Sequence, residues 1–152
     1  MRIAVDFDGT IVNHRYPAIG SEIPFTISTL RKLEEDGHQI ILWTVREGKL
    51  LDEAVEFCRK RGLEFYSVNA EYPNADWSGS GVSRKISADL YIDDLNLGGI
   101  PSWGDIYTMI VNGEAVRLAG DGRKPRHRHR HRGLFARLRH RTRAARSKLI
   151  PR

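Results

Sequence analysis

Two aspartates near the amino terminus, Asp6 and Asp8, are the residues whose type and spacing could carry out chemistry. They follow the apolar run 3–5, which predicts a short buried strand, and Gly9 favours a sharp turn directly after them. Open α/β sheets bind ligands at the carboxyl ends of their strands. Two carboxylates at such a place would repel each other and lose hydration unless a cation lay between them. One could attack a substrate while the other transfers a proton.

The five residues Asp6-Phe7-Asp8-Gly9-Thr10 resemble the first motif of the haloacid dehalogenase-like (HAD) hydrolase superfamily, in its phosphatase form. The resemblance implies that Asp6 is the nucleophile and that Asp8 is the general acid and base. It also implies that Gly9 and Thr10 lie against the phosphoryl group of the substrate.

A second motif follows the apolar segment 39–45, which predicts another buried strand. Thr44 is similar to the Thr or Ser that ends this strand in the superfamily, and the resemblance gives it the phosphoryl oxygens to hold. Arg46 could hold the phosphate, or another part of the substrate, through its planar guanidinium. The alternative interpretation is that Arg46 is a solvated surface residue.

Two further motifs precede and end the segment 88–92, a third apolar run of this kind. Lys85 resembles the superfamily's lysine that neutralises the attacking Asp and the phosphate, and Arg84 could supply the same electrostatic effect. Asp93 and Asp94 resemble the fourth motif in its double-Asp form. Adjacent carboxylates at a strand end would be costly without a metal ion.

The four motifs together imply a magnesium-dependent phosphomonoester hydrolase that acts through an aspartyl-phosphate on Asp6. Mg²⁺ prefers oxygen ligands and keeps several waters, so Asp6, the backbone carbonyl of Asp8 and one of the later pair would suffice. The family pattern favours Asp94 as the direct ligand and Asp93 behind it. Thr44 and Lys85 would hold the equatorial phosphoryl oxygens.

Strands alternate with helices along the chain, which predicts an α/β fold with a mostly parallel central sheet and helices on both faces. Helices are expected from Pro24 to Gly37, from Lys49 to Arg61, with Cys58 in its buried side, and over 103–111. A further strand is predicted at 65–68 and a short closing strand at 115–118. The expectation is a Rossmann-like three-layer sandwich, HAD-like and without a cap domain.

The segments 11–23 and 69–84 are the only ones between the motifs that could hold a lid, and both are too short to fold as a domain. An open site would admit large substrates or be covered by a second subunit in a homo-oligomer. Four residues in these segments are candidate substrate contacts, although each is as well explained as an ordinary loop residue: His14, Tyr16, Asn69 and Trp77.

Charge divides the 152 residues into two parts. Residues 1–121 carry 12 Lys and Arg against 19 Asp and Glu, whereas 122–152 carry 13 Lys and Arg and no acid. We therefore predict a catalytic domain at 1–119 and a basic low-complexity tail at 120–152, which includes a possible amphipathic helix. The tail could bind nucleic acid or an acidic membrane surface, or remain solvated without a specific partner.

The sequence contains one cysteine, no apolar run long enough to span a membrane and no recognisable signal peptide, so a cytoplasmic location is expected. Three other functions stay open beside the phosphatase. A haloalkanoate dehalogenase would share the nucleophile Asp6 but needs neither Asp8 nor the second acidic pair. A phospho-accepting receiver domain also combines acids, Thr and Lys, but Asn69 supplies no acceptor carboxylate after the third strand. A nucleic-acid-binding protein acting through its tail would leave Asp6 and Asp8 unexplained.

Overall fold

The structure is a computed structural model that describes residues 1–75 and 85–117. In these two ranges the chain forms four strands and four helices. The strands are β1 (Arg2–Val5), β2 (Gln39–Leu42), β3 (Ser67–Val68) and β4 (Leu90–Ile92), and the helices are α1 (Thr26–Glu35), α2 (Gly48–Arg59), α3 (Trp103–Val111) and α4 (Glu114–Arg117).

The strands form one parallel sheet in the order β3-β2-β1-β4. Val5 is paired with Leu42 on one side and with Ile92 on the other, so the three strands end at the same level. All three side chains are buried. Near-continuous apolar strands suit a parallel sheet that is covered on both faces, and the α/β prediction is confirmed.

The apolar face that the sequence predicts for α1 is buried in the structure. Its residues Ile27, Leu30 and Leu33 are buried at helical spacing. The helix ends at Glu35 and is capped by Asp36, and Gly37 follows with φ +86°, a conformation that costs glycine little. In α2 the buried residues include Cys58, as predicted.

The two faces of the sheet are covered differently. Ile3 and Val5 point into a large core with α1, α2 and α3, whereas Ala4 packs with Ile41 and Ile86 on the opposite face. Strand order explains this: β2 and β3 extend the sheet in one direction from β1, and β4 lies on the other side of β1. Right-handed crossovers then put α1 and α2 on one face and the return from β3 to β4 on the other.

Within the described ranges α1, α2 and α3 pack on one face of the sheet, and Ile86 and Ala88 pack on the other. Two details of the sequence prediction are wrong. Strands β2, β3 and β4 are shorter than predicted. Residues 114–117 form α4 rather than a strand, since Glu, Ala and Arg favour helix, and the half-buried Ala115 packs on the core.

Some predictions fall outside the described residues: the tail at 120–152, Trp77 and Arg84. Among the helices that the structure describes, none is both long and apolar enough to cross a membrane.

Candidate active site

The candidate site lies where β1, β2 and β4 end together. The Asp6 N–H donates to the Ile92 carbonyl oxygen at 3.0 Å, and the Trp43 N–H donates to the Val5 carbonyl oxygen at 2.8 Å. The chain leaves β1 towards β2 on one side, while β4 flanks β1 on the other, so this is the position where the strand order reverses. Ligands of open parallel sheets bind in the crevice at such a position.

Three carboxylates meet at this edge: Asp6, Asp93 and Asp94. One oxygen from each lies within 4.8 Å of the other two, and all three residues are half-buried. Burial raises the pKa of Asp6 to about 6, and the negative charges of Asp93, Asp94 and Asp8 add to this rise. The cluster therefore favours either a proton on Asp6 or a cation among the three groups.

The turn after Asp8 packs tightly against Asp94. The buried Thr10 hydroxyl accepts the Asp94 N–H at 3.0 Å and lies 3.4 Å from the Asp94 Oδ1, to which it donates. Gly9 has φ +94°, and a Cβ there would lie 2.3 Å from the Asp94 Oδ2. A side chain at position 9 would therefore displace the Asp94 carboxylate and strain the backbone, and Thr10 orients Asp94 through direct contact.

Asp93 lines a cavity of about 360 Å³ on the less covered face of the sheet. Asp6 and Lys85 line the same cavity. Its other walls include Trp43 and Tyr91, and the Lys85 Nζ lies 5.4 Å from the centre of the Tyr91 ring. The cavity brings Asp6 and Asp93 together with a cation and two aromatic rings, and Asp94 is not among the residues that line it.

Asp8 is engaged by Arg46 and not by the carboxylate cluster. The Arg46 Nε donates to the Asp8 Oδ2 at 2.6 Å, and the Arg46 NH2 group donates to the Asp8 Oδ1 at 2.7 Å. The side chains are 0% and 7% exposed for Arg46 and Asp8. These hydrogen bonds raise the pKa of Arg46. The interpretation of Arg46 as a solvated surface residue is wrong.

Thr44 and Asn69 form a local network with Arg46 at the end of β2. The Thr44 N–H donates to the Asn69 Oδ1 at 2.8 Å, and the Asn69 Nδ2 donates to the Arg46 carbonyl oxygen at 3.4 Å. The Thr44 hydroxyl accepts the Arg46 N–H at 3.3 Å. Asn69, a candidate substrate contact from the sequence, therefore has a structural role in holding this loop.

The other two described candidates for substrate contact are exposed. His14 and Tyr16 lie in the loop after β1, and the Tyr16 ring centre is 5.3 Å from the Arg46 guanidinium carbon. Sequence reasoning missed Trp43 and Tyr91 as cavity walls. Strand alternation could have predicted both. Trp43 lies two residues after Ile41, and Tyr91 is paired with Ala4, so both side chains lie on the face of Ala4 and Ile41.

A cavity with this composition can bind an anionic group and a hard divalent cation together. The three carboxylates supply the oxygen ligands that such a cation prefers, and Lys85 supplies a positive charge for an anion. Asp6 lies where it could touch both. The arrangement is suited to an electrophile that carries negative charge.

No protein-family model matches the chain, and no curated protein matches it. Among solved structures, a conserved protein coded by a locus from Bacteroides thetaiotaomicron matches at 62% sequence identity and a TM-score of 0.70. The match covers 74% of this chain and 91% of that protein.

Proposed function

We propose a phosphatase function for this chain, which belongs to the same family as the conserved protein from Bacteroides thetaiotaomicron. The proposed activity is magnesium-dependent hydrolysis of a phosphomonoester, and the resemblance of the four motifs to those of the HAD superfamily supports it. The observation that carries it is the position of Asp6, which belongs to the carboxylate cluster and lines the cavity shared with Lys85.

Magnesium fits the donor set of the site. Asp6, Asp93 and Asp94 offer only carboxylate oxygens. Burial is the largest cause of the raised pKa of Asp6, and the nearby charges of Asp93 and Asp94 raise it further. These three residues would hold the ion, together with water and an oxygen of the substrate. When bound, the ion would neutralise charge on the phosphoryl oxygens and so permit approach of an anionic nucleophile.

The chain's own residues would then carry out two steps. A carboxylate oxygen of Asp6 forms a bond to phosphorus while the bond from phosphorus to the leaving oxygen breaks. The leaving oxygen receives a proton that Asp8 holds on a lone pair not used by Arg46. In the second step Asp8 takes a proton from water, whose oxygen attacks phosphorus and releases Asp6 and inorganic phosphate. Lys85 and Thr44 hold phosphoryl oxygens during both steps.

A receiver-like function has less support. Its phosphate acceptor would follow β3, where this chain has Asn69, and that side chain already bonds the backbone at Thr44 and Arg46. Asp8, which is paired with the buried Arg46, would have no functional role in a receiver domain. The tail on which a nucleic-acid-binding function depends lies beyond the described part of the chain.

The test is hydrolysis of an aryl phosphate, with magnesium and with a chelator, by the intact chain and by the Asp6→Asn variant. We expect magnesium-dependent turnover that falls at least about a thousandfold in the variant, since the nucleophile is lost. The matched control is Asp52→Asn, which changes an exposed aspartate on α2 and should retain full activity. Turnover that survives Asp6→Asn would sink the proposed mechanism.

A further inference from the structure

The Arg46 guanidinium has more contacts than its pairing with Asp8. The NH1 group donates to the Pro17 carbonyl oxygen at 3.0 Å, and the NH2 group donates to the Ala18 carbonyl oxygen at 2.9 Å. The loop after β1 is thereby fastened to the same side chain that holds Asp8. The ring of Phe7 packs beside it, with its centre 5.1 Å from the guanidinium carbon.

Arg46 could either bind the phosphoryl group or hold Asp8, and the number of its free N–H donors distinguishes these two roles. A guanidinium has five N–H groups, and four of them are used on Asp8, Pro17 and Ala18. The side chain is 0% exposed, so it presents no open face to a phosphoryl group in the cavity. A residue that bound phosphate would need at least two free donors for its planar, two-pronged geometry.

We propose that Arg46 is a positioning residue that fixes the direction of the Asp8 carboxylate and does not itself bind the substrate. The proposal rests on the proposed phosphatase function, because it concerns the group that transfers the proton there. Both Asp8 oxygens are held at 2.6 and 2.7 Å by donors on one rigid plane. The carboxylate therefore has one orientation, set from the loop after β2.

Fixing Asp8 from outside the phosphate site has a kinetic signature. Displacement of a catalytic group by about 1 Å costs about a hundredfold in rate, but binding of the phosphoryl group does not involve Asp8 oxygens held by Arg46. Loss of Arg46 should lower kcat and leave KM and inhibition by inorganic phosphate nearly unchanged. Loss of a direct phosphate ligand would instead raise both binding constants.

The experiment compares Arg46→Gln and Arg46→Lys with wild type, each alone and combined with Asp8→Asn, in the magnesium-dependent assay. We expect Arg46→Gln to lower kcat about a hundredfold, with KM and the inhibition constant of inorganic phosphate within about threefold of wild type. Arg46→Lys should recover part of kcat, because it restores the charge without the fork. In the Asp8→Asn background, Arg46→Gln should cost less than about threefold.

The matched control is Arg61→Gln. Arg61 also pairs with a carboxylate, Glu22 at 3.2 Å, and lies over an aromatic ring, Phe57 at 3.5 Å. Neither Glu22 nor Phe57 is a candidate site residue, so kcat should stay within about twofold of wild type. Intrinsic tryptophan fluorescence checks that each variant is folded, and Arg46→Lys carries the comparison if Arg46→Gln does not fold.

Two results would overturn the proposal. A rise of about tenfold or more in both KM and the phosphate inhibition constant would assign Arg46 to the substrate, as would a full additional loss in the Asp8→Asn background. If the wild type is active and the variants give either of these results, only the positioning role of Arg46 is overturned. Absence of turnover in wild type overturns the phosphatase function and the positioning role with it.

Discussion

Replacement of Asp6 by Asn should stabilise the metal-free protein while removing its response to magnesium. The reason is the raised pKa of Asp6, about 6 against 3.8 for a free aspartate. The folded state holds a proton on Asp6 more tightly than the unfolded state does, so ionisation of Asp6 works against folding. Asparagine has nearly the same shape and carries no charge.

The size of this effect follows from the shift. Two pKa units correspond to about 3 kcal/mol at 1.36 kcal/mol per unit. Because Asp6 is partly exposed, solvent screening reduces the expected gain to about 1–2 kcal/mol. Below about pH 4 both states of the wild type carry the proton and the gain should vanish. It should grow as the pH rises from about 4 to 6 and stay constant above that.

Magnesium should stabilise the wild type and have little effect on the stability of the Asp6→Asn variant. The ion stabilises the folded wild type by mass action, by about 2.7 kcal/mol at a hundred times its dissociation constant, and Asp6→Asn removes one of its ligands. Urea unfolding followed by tryptophan fluorescence gives both quantities, measured with chelator and with magnesium at about pH 4 and pH 7.5.

Asp52→Asn again serves as the control, since it removes a negative charge from an exposed position. Its unfolding free energy should change by no more than about 0.5 kcal/mol at either pH. Destabilisation of the metal-free protein by Asp6→Asn near neutral pH would refute a charge penalty at Asp6, and equal stabilisation of variant and wild type by magnesium would refute Asp6 as a ligand.

Two further outcomes follow from the geometry. Gly9→Ala should lower magnesium-dependent turnover at least about tenfold, because the new Cβ would lie 2.3 Å from the Asp94 Oδ2. Gly37→Ala is its control, with φ +86° and no heavy atom within 4 Å of the added Cβ. It should cost about 1 kcal/mol of stability and leave turnover intact, and equal losses in both variants would contradict the role of Asp94. Cys58, whose pKa is raised to about 12 by burial, should resist a thiol reagent in the folded protein and react in urea; rapid reaction without denaturant would contradict its burial.

The sheet was the part of the fold that sequence patterns predicted best. Runs such as residues 40–42 are apolar at every position, which is typical of parallel strands with both faces covered. The pattern at 115–117 was too short to separate strand from helix, and local propensity decided for helix. The unequal covering of the two faces of the sheet depends on strand order. Strand order is a property of the whole chain and cannot be predicted from the pattern of any single segment.

The candidate site was predicted from motifs that lie at strand ends, and the structure brings Asp6, Asp93 and Asp94 together as expected. The pairing of Asp8 with Arg46 could not be predicted in the same way. The two residues are 38 positions apart, and the acidic first part of the chain offers many possible partners for each arginine. Only the packing of the loops after β1 and β2 selects this one.

The distance along the chain between the two halves of the carboxylate cluster has a consequence for folding order. Thr10 and Asp94 are 84 residues apart, so the repulsion at the site does not exist until β4 has joined β1. A nascent chain that ends before β4 can collapse around β1 and β2 without that opposition. Among the described strands, β4 is the last to be made, and it brings both the proposed metal ligands Asp93 and Asp94 and the charge that resists its docking. A divalent cation should therefore speed the final folding step and slow the first step of unfolding.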